Sequence, residues 1–489
     1  MTLVDPASVP PEERDGLPPE ARTIAVVVVA TGTVMSVLDS SIATIALPTL
    51  ARELHAGPSA SIWVVNAYQL VMVVLLLPLA SLGDMAGYRR VYALGIALFT
   101  AGSLGCALAH TLPLLIAARV LQACGGAGVM AVAPALYREI FPSRLLGTAL
   151  GISAVTVASS SAAGPTIGGA ILAIAPWPWL FAINVPIGIV VASLAGRALP
   201  PGSPRGGRLD VPSALLAGPA LAIAVYALDG LGRGTTTLET TALFALAVVM
   251  LVVFVRRQRR LADPMLAIRL FAIPRFSLAA GTSLGSFVAQ GLSFVALPFL
   301  FQNVYGYSAF VSGLLFTPWP AAIAAIAPVA GRLADTIPPP RLATIGLGIF
   351  ALGLASLATL GAHASVVDIV WRNVLCGAGF GFFQSPNNRE LLGSAPRRDS
   401  GSASGILASV RVFGQSTGAA VVAIALGVTT AARARGDVHA AAAVSGPVHV
   451  TLWIAAGMAA VATAVSALRL RPASPGGTDV APERLVTSD

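Results

Sequence analysis

Two charged side chains interrupt long apolar runs. Asp39 lies in Leu38-Asp39-Ser40-Ser41, and Arg119 lies in Arg119-Val120-Leu121-Gln122. A carboxylate inside an apolar segment is expensive to keep there, so it marks a functional position by default. A guanidinium stays protonated and, close by, favours the ionised form of such a carboxylate. Arg372 and Arg411 also fall within apolar runs. Either could serve a substrate, pair with backbone carbonyls or extend to an interface, and the residues leave these readings open. A second class of candidates stands at the ends of apolar runs: Asp84 with Gly87, Arg89 and Arg90, and Asp335 after Gly331-Arg332-Leu333-Ala334. A carboxylate there can cap the N-terminus of a neighbouring helix and hold one conformation.

Other chemistries lack their residues. All 30 basic residues are Arg and there is no Lys, which excludes a P-loop and a Schiff-base lysine. The five His sit at or beyond the ends of apolar runs with no metal-ligand spacing. Cys106, Cys124 and Cys376 form no CxxC and are odd in number. An enzyme, an ATP-driven pump, a zinc site and a disulfide framework are therefore not expected, nor is any cofactor beyond a proton gradient.

The elements that must position these residues are membrane helices. Of 489 residues 56% are hydrophobic and only 10% charged, against about 25% charged in a soluble protein, and mean hydropathy is +0.82. The apolar runs are near the ~20 residues that cross a bilayer as a helix, not ten-residue alternating strands. Fourteen such spans are expected between residues 23 and 468. With the N-terminus inside, 23 Arg fall in inner loops and tails and four (Arg52, Arg233, Arg433, Arg435) in outer loops. That bias places both termini in the cytoplasm and explains the net charge of +9 without nucleic acid. Residues 1–22 and 471–489 read as disordered cytoplasmic tails, the first without a signal peptide.

The chain also repeats itself. Ala46-Leu47-Pro48 recurs as Ala296-Leu297-Pro298, Asp84 as Asp335, Arg119 as Arg372, and Gly147-Thr-Ala-Leu-Gly151-Ile as Gly401-Ser-Ala-Ser-Gly405-Ile, at separations of 250 to 254 residues. Two six-helix bundles are expected, 23–198 and 261–470, with a linker and inserted helix pair at 199–260. Parallel repeats of this kind are a transporter architecture, with the substrate between the halves near the midplane. At 1.5 Å per residue, Asp39 lies ~4 Å and Arg119 ~9 Å outside the midplane, close enough for an ion pair or a water-bridged contact.

Several motifs carry a family resemblance. Pro-Leu-Ala-Ser-Leu-Gly-Asp84-Met-Ala-Gly87-Tyr-Arg89-Arg90 resembles the G-x-L-x-D-R-x-G-R-R loop of the major facilitator superfamily, with Ala80 for the first Gly and Met85 for the first Arg. Gly164-Pro165-Thr166-Ile167-Gly168-Gly169 resembles the G-P-x-x-G-G motif of its antiporters. Leu38-Asp39-Ser40-Ser41-Ile42-Ala43-Thr44-Ile45-Ala46-Leu47-Pro48 is similar to the first-helix motif of the fourteen-helix drug:proton antiporters. Arg119-Val-Leu-Gln122-Ala-Cys-Gly125 resembles R-x-x-Q-G-x-G, with Ala123 for the first Gly. Trp63-Val-Val-Asn-Ala-Tyr68, Trp179-Leu-Phe-Ala-Ile-Asn184-Val-Pro186 and Gln384-Ser-Pro386-Asn387-Asn388-Arg389 extend the likeness over most of the chain.

The resemblance implies an all-α major facilitator fold and a monomeric, proton-coupled antiporter of the plasma membrane exporting a bulky apolar drug or antibiotic-like molecule. The alternative is a proton-coupled uptake permease for a small metabolite. Asp39 and Arg119 would couple protons. Asp84, Gly87, Arg89, Arg90 and Asp335 would gate. Gly164, Pro165, Gly168 and Gly169 would form the antiporter motif. Ser40, Gln122, Gln290, Trp319, Arg372, Phe380 and Arg411 are candidates to line the cavity. Arg119, Arg372 and Arg411 outnumber Asp39 within the spans, so a neutral or anionic cargo is expected. One unpaired like charge ~6 Å from a cation costs on the order of 3 kcal/mol at an effective dielectric near 20.

Overall fold

A computed structural model of the chain describes residues 16–142, 145–201, 210–233, 237–261, 268–361, 364–396, 400–434 and 442–470. The tail at 471–489 and most of that at 1–22 lie outside the described residues. Seventeen α-helices and no strands occur among them: α1 (Pro19–Glu53), α2 (Pro58–Ser61), α3 (Trp63–Ala86), α4 (Tyr88–Ala107), α5 (Leu112–Ile140), α6 (Leu146–Ile174), α7 (Trp179–Ala182), α8 (Asn184–Ala198), α9 (Val211–Arg233), α10 (Thr237–Arg260), α11 (Pro274–Phe299), α12 (Ala309–Phe316), α13 (Pro318–Leu333), α14 (Pro339–Ala358), α15 (Val366–Gly393), α16 (Ser400–Ala434) and α17 (Ala442–Leu468). Thirteen helical stretches among the described residues are long and apolar enough to cross a membrane. The fourteenth expected span falls on α9, whose described apolar stretch is only Leu215–Ala224. The chain is thus a multi-pass membrane protein.

Local chemistry accounts for the helix ends. Proline opens α1, α2, α11 and α14, where its missing N–H is no loss. Pro19 starts α1 four residues before the expected span. Ser308 and Ser365 cap α12 and α15 by accepting from Val311 N and Asp368 N. Gly87 ends α3 and leads into α4 with φ +94°, a backbone region that favours glycine. Prolines inside α5, α6, α11 and α13 (Pro134, Pro165, Pro298 and Pro328) each remove a helical hydrogen bond, and all four face one central cavity.

Hydrogen bonds and an apolar core join the two halves at one end of the bundle. One apolar core runs through both, with Ile42 and Leu47 of α1 alongside Leu297 of α11 and Trp319 of α13. A second core, around Tyr92, Phe99 and Tyr137, is built from the N-terminal half. Between the halves α1 packs on α11, α6 on α12 and α13, and α3 on α16. A π-helical turn at Leu300–Val304 places Gln302 against the other half. There it donates to Ile45 O at 2.8 Å and accepts from Thr49 at 3.3 Å. Thr166 and Thr317 hydrogen-bond across the same end. The inserted α9 touches both halves through α3 and α16, and pairs with α10. Arg257 of α10 donates to Asp210, at the start of α9, at 2.9 Å.

Candidate functional site

Asp39 and Arg119 are in direct contact, and both are almost completely buried. Arg119 Nη1 donates to Asp39 Oδ2 and, at 2.6 Å, to Gln122 Oε1, while Nε donates to Val64 O at 3.0 Å. The other carboxylate oxygen accepts from Gln122 Nε2 at 2.8 Å and from Asn184 Nδ2 at 3.0 Å. Gln122 Nε2 also donates to Ser103 at 2.8 Å. Helices α1, α4, α5 and α8 each contribute a side chain. Such a pair is maintained by geometry: two charges withdrawn from water need good hydrogen bonds on their remaining atoms. The guanidinium carbon lies 4.2 Å from the centroid of Tyr68 and 5.6 Å from that of Phe181, a cation held over aromatic faces.

Beside the pair lies a cavity of about 760 Å³ between the halves. Ser36, Ser40, Val65 and Tyr68 belong to its wall, whereas Asp39 and Arg119 do not. The buried ion pair therefore sits one side chain behind the cavity, with Tyr68 as the partition. The lining runs through Pro134, Ser153, Pro328 and Asn388, toward the end of the bundle that carries Asp84 and Asp335. The opposite end is the one closed by Gln302, Thr166 and Thr317.

The expected antiporter motif holds that closure. A Cβ on Gly169 would come within 2.7 Å of Ala309 O, and one on Gly313 within 2.2 Å of Pro165 O, so α6 and α12 approach backbone to backbone. Gly164 and Gly168 face α1 equally closely, at Ser41 and Ile45. Pro165 has no N–H to offer the carbonyl of Ser161, which instead accepts from Ser41 Oγ at 3.3 Å. The motif thus ties α6 to the first helix of its own half and to a helix of the other.

The gating candidates stay within their own halves. Asp84 accepts from Tyr88, one helical turn on, and Arg89 donates to Gly196 O at 3.3 Å. Arg90 is exposed. Asp335 pairs with Arg389 of α15, both exposed.

Of the cavity candidates, Ser40, Gln290, Phe380 and Arg411 are in the lining. Three are not. Gln122 is taken up by the ion-pair network. Trp319 is fully buried edge-on against Phe294 and Phe350, so Phe294 faces the cavity in its place. Arg372, the repeat counterpart of Arg119, turns to α14, where it donates to Ser356 O and to Thr359 at 3.1 Å, with Asp368 at 3.9 Å. The repeat places its Cα but not its side chain, because the second half has no Asp39 for it to meet. Tyr68 and Asn184 are legible in the sequence only as parts of motifs, with no role assigned, and Ser103 and Gln415 are not singled out from it; the last donates to Gln290 at 2.9 Å.

The profile of the Major Facilitator Superfamily matches residues 29–419. An uncharacterized transporter of Escherichia coli, YebQ, is 47% identical over 94% of this chain and 98% of its own length. The riboflavin transporter RibZ of Clostridioides difficile is 30% identical, covering 82% of this chain and 87% of its own. The tetracenomycin C resistance and export protein of Streptomyces glaucescens is 32% identical, covering 84% and 76%. Among solved structures, a bacterial homologue of the human lysosomal transporter Spinster, in an inward-facing and unoccupied conformation, superposes with a TM-score of 0.68 at 16% identity, covering 93% of this chain and 97% of that one.

Proposed function

The chain belongs to the major facilitator superfamily and is a transporter, not an enzyme; we propose that it is a proton-coupled antiporter exporting a bulky, largely apolar molecule across the plasma membrane by alternating access. The observation that carries this reading is the buried Asp39–Arg119 pair set one side chain behind a cavity between two pseudo-equivalent halves. With both termini in the cytoplasm, as the arginine distribution argues, the cavity in this conformation loads from inside. The halves then rock about the shared interface and expose it outward. A proton from outside neutralises Asp39, and Arg119 loses its counter-charge. Removing one partner of a buried pair costs about 3–5 kcal/mol. That is enough to shift a two-state equilibrium a hundredfold or more, which makes protonation a sufficient trigger for substrate release and return. Inside, the proton leaves and the pair re-forms. Asp84, Arg89, Arg90 and Asp335 would lock the inner ends of the halves when the cavity faces out, and Gly164-Pro165 and Gly168-Gly169 lock the outer ends when it faces in. The small molecule, protons and lipid are the partners, and no cofactor is needed.

Likeness to a riboflavin transporter favours a second reading, proton-coupled uptake of a metabolite. Likeness to an export protein for tetracenomycin C, together with the Gly164-Pro165 motif, favours export. A drug-susceptibility panel in a host stripped of its own pumps identifies a transported compound. Vesicles with an acidic lumen then separate the two: antiport concentrates that compound inside, whereas symport drives it out.

A further inference from the structure

Arg411 is the one charged residue among those lining the central cavity, and it has no hydrogen-bond or ion-pair partner among the described residues. Every other in-span arginine considered above is neutralised or turned away. Arg119 is held by Asp39, and Arg372 is bonded to Ser356 O, with Asp368 nearby. No Asp or Glu belongs to the lining. A guanidinium does not give up its proton, so this is a standing positive charge in a mostly apolar cavity. Gln415, one turn along α16, shares its face and bonds Gln290 of α11. A second feature lies across the same space: Phe287 and Phe380 meet edge to face at 5.5 Å, and Phe294 and Phe316 at 4.8 Å, all four in the wall. A cavity of about 760 Å³ suits a drug-sized molecule.

We propose that Arg411 is the anchor for an acidic group of the cargo, so that the transported class is amphipathic aromatic monoanions, with the carboxylate or equivalent oxyanion forked by the guanidinium and the ring system against the phenylalanines. This rests on the transporter reading above and supplies its substrate class. The fork of N–H donors matches a carboxylate in two parallel hydrogen bonds, a match that an amide or an amine does not offer. A cation of the same shape meets an uncompensated like charge.

The test uses the full chain purified in detergent and three compounds with one ring system: anthracene-9-carboxylate, anthracene-9-carboxamide and 9-(aminomethyl)anthracene. Binding is measured by equilibrium dialysis against protein-free micelles. The wild type should prefer the carboxylate over the amide by at least tenfold and bind the amine most weakly. Arg411→Gln should bring the carboxylate down to the affinity of the amide and leave the amide within twofold, which also reports that the variant is folded. Arg411→Lys should keep part of the preference, and it decides the matter if the glutamine variant binds neither compound. Equal binding of acid and amide by the wild type, failure of both to bind, or a preference that survives in Arg411→Gln overturns the proposal. No arm involves a proton gradient, so a negative result here refutes the anion anchor alone, and a failure of proton coupling in vesicles refutes the antiport reading alone.

Discussion

The ring of Tyr68 lies 4.2 Å from the guanidinium carbon of Arg119 and forms part of the cavity wall. Its hydroxyl is fixed by Ser36 at 3.0 Å. One aromatic side chain therefore separates the space a substrate would occupy from the pair that would carry the proton. Tyr68→Ala should open that partition and allow proton movement without substrate. Tyr68→Phe, which keeps the ring over the cation, should not. A lumenal pH dye in proteoliposomes checks this: the alanine variant should leak several-fold faster than wild type, and equal leak rates in all three would argue against a partition.

Stability should depend on the ion pair as a unit. Arg119→Leu leaves Asp39 buried without its counter-charge and is expected to cost about 3–5 kcal/mol. Asp39→Leu with Arg119→Leu removes both charges and should recover most of that loss, because a well-packed apolar pair is often as stable as a buried salt bridge. Thermal unfolding in detergent gives the order wild type and double variant above the single variant. Coupling should be absent from both variants.

The closed end of the bundle depends on bare backbone at Gly169 and Gly313, each set against the other's helix. Gly313→Val places a side chain where even a Cβ would lie 2.2 Å from Pro165 O. The halves should be pushed apart at that end and the population shifted toward the outward-open state. Spin-label distances between α6 and α12 should lengthen and transport should fall by an order of magnitude. Unchanged distances would show that the contact does not set the closure.

The base of the inserted helix pair makes a pH prediction of its own. Burial raises the Asp210 carboxyl, but hydrogen bonds from Ser213 and Arg257 outweigh it and hold the group below the usual carboxylate range. A depressed folded value means that the contribution is complete above the unfolded value near 3.9 and is lost as pH falls through the folded one. Hydrogen exchange at the start of α9 should therefore be flat from pH 8 to pH 5, after correction for intrinsic exchange. Asp210→Asn should raise it across that range. Any change in transport over the same interval arises elsewhere.

Much of this was legible because charge is rare inside a membrane span. Asp39 and Arg119 could be picked out one by one, and their depth along the helices put them within reach of each other. The repeat separation of 250 to 254 residues carries the position of Asp39 to the neighbourhood of Ala289 and Gln290, and Gln290 is in the lining. What could not be read was side-chain direction. Arg372 shares the register of Arg119 yet faces α14, and Trp319 packs into the core although its neighbours line the cavity. Asn184 carries no charge and sits in an apolar run, so nothing in its type announces a donor to Asp39. Only the packing of α8 against α1 reveals it. The repeat set the helix pair α9 and α10 apart from the two halves, but where it packs, against α3 and α16, comes only from the structure.

The most direct measurement of the central claim is substrate-driven proton movement in proteoliposomes containing Asp39→Asn, once a transported compound is known. The carboxamide keeps the shape of the side chain and removes its titration. The variant should insert, fold and bind, yet move no protons against substrate and build no substrate gradient from a pH gradient. Coupled transport at the wild-type rate would contradict the assignment of Asp39 as the proton carrier and, with it, the mechanism proposed for this chain.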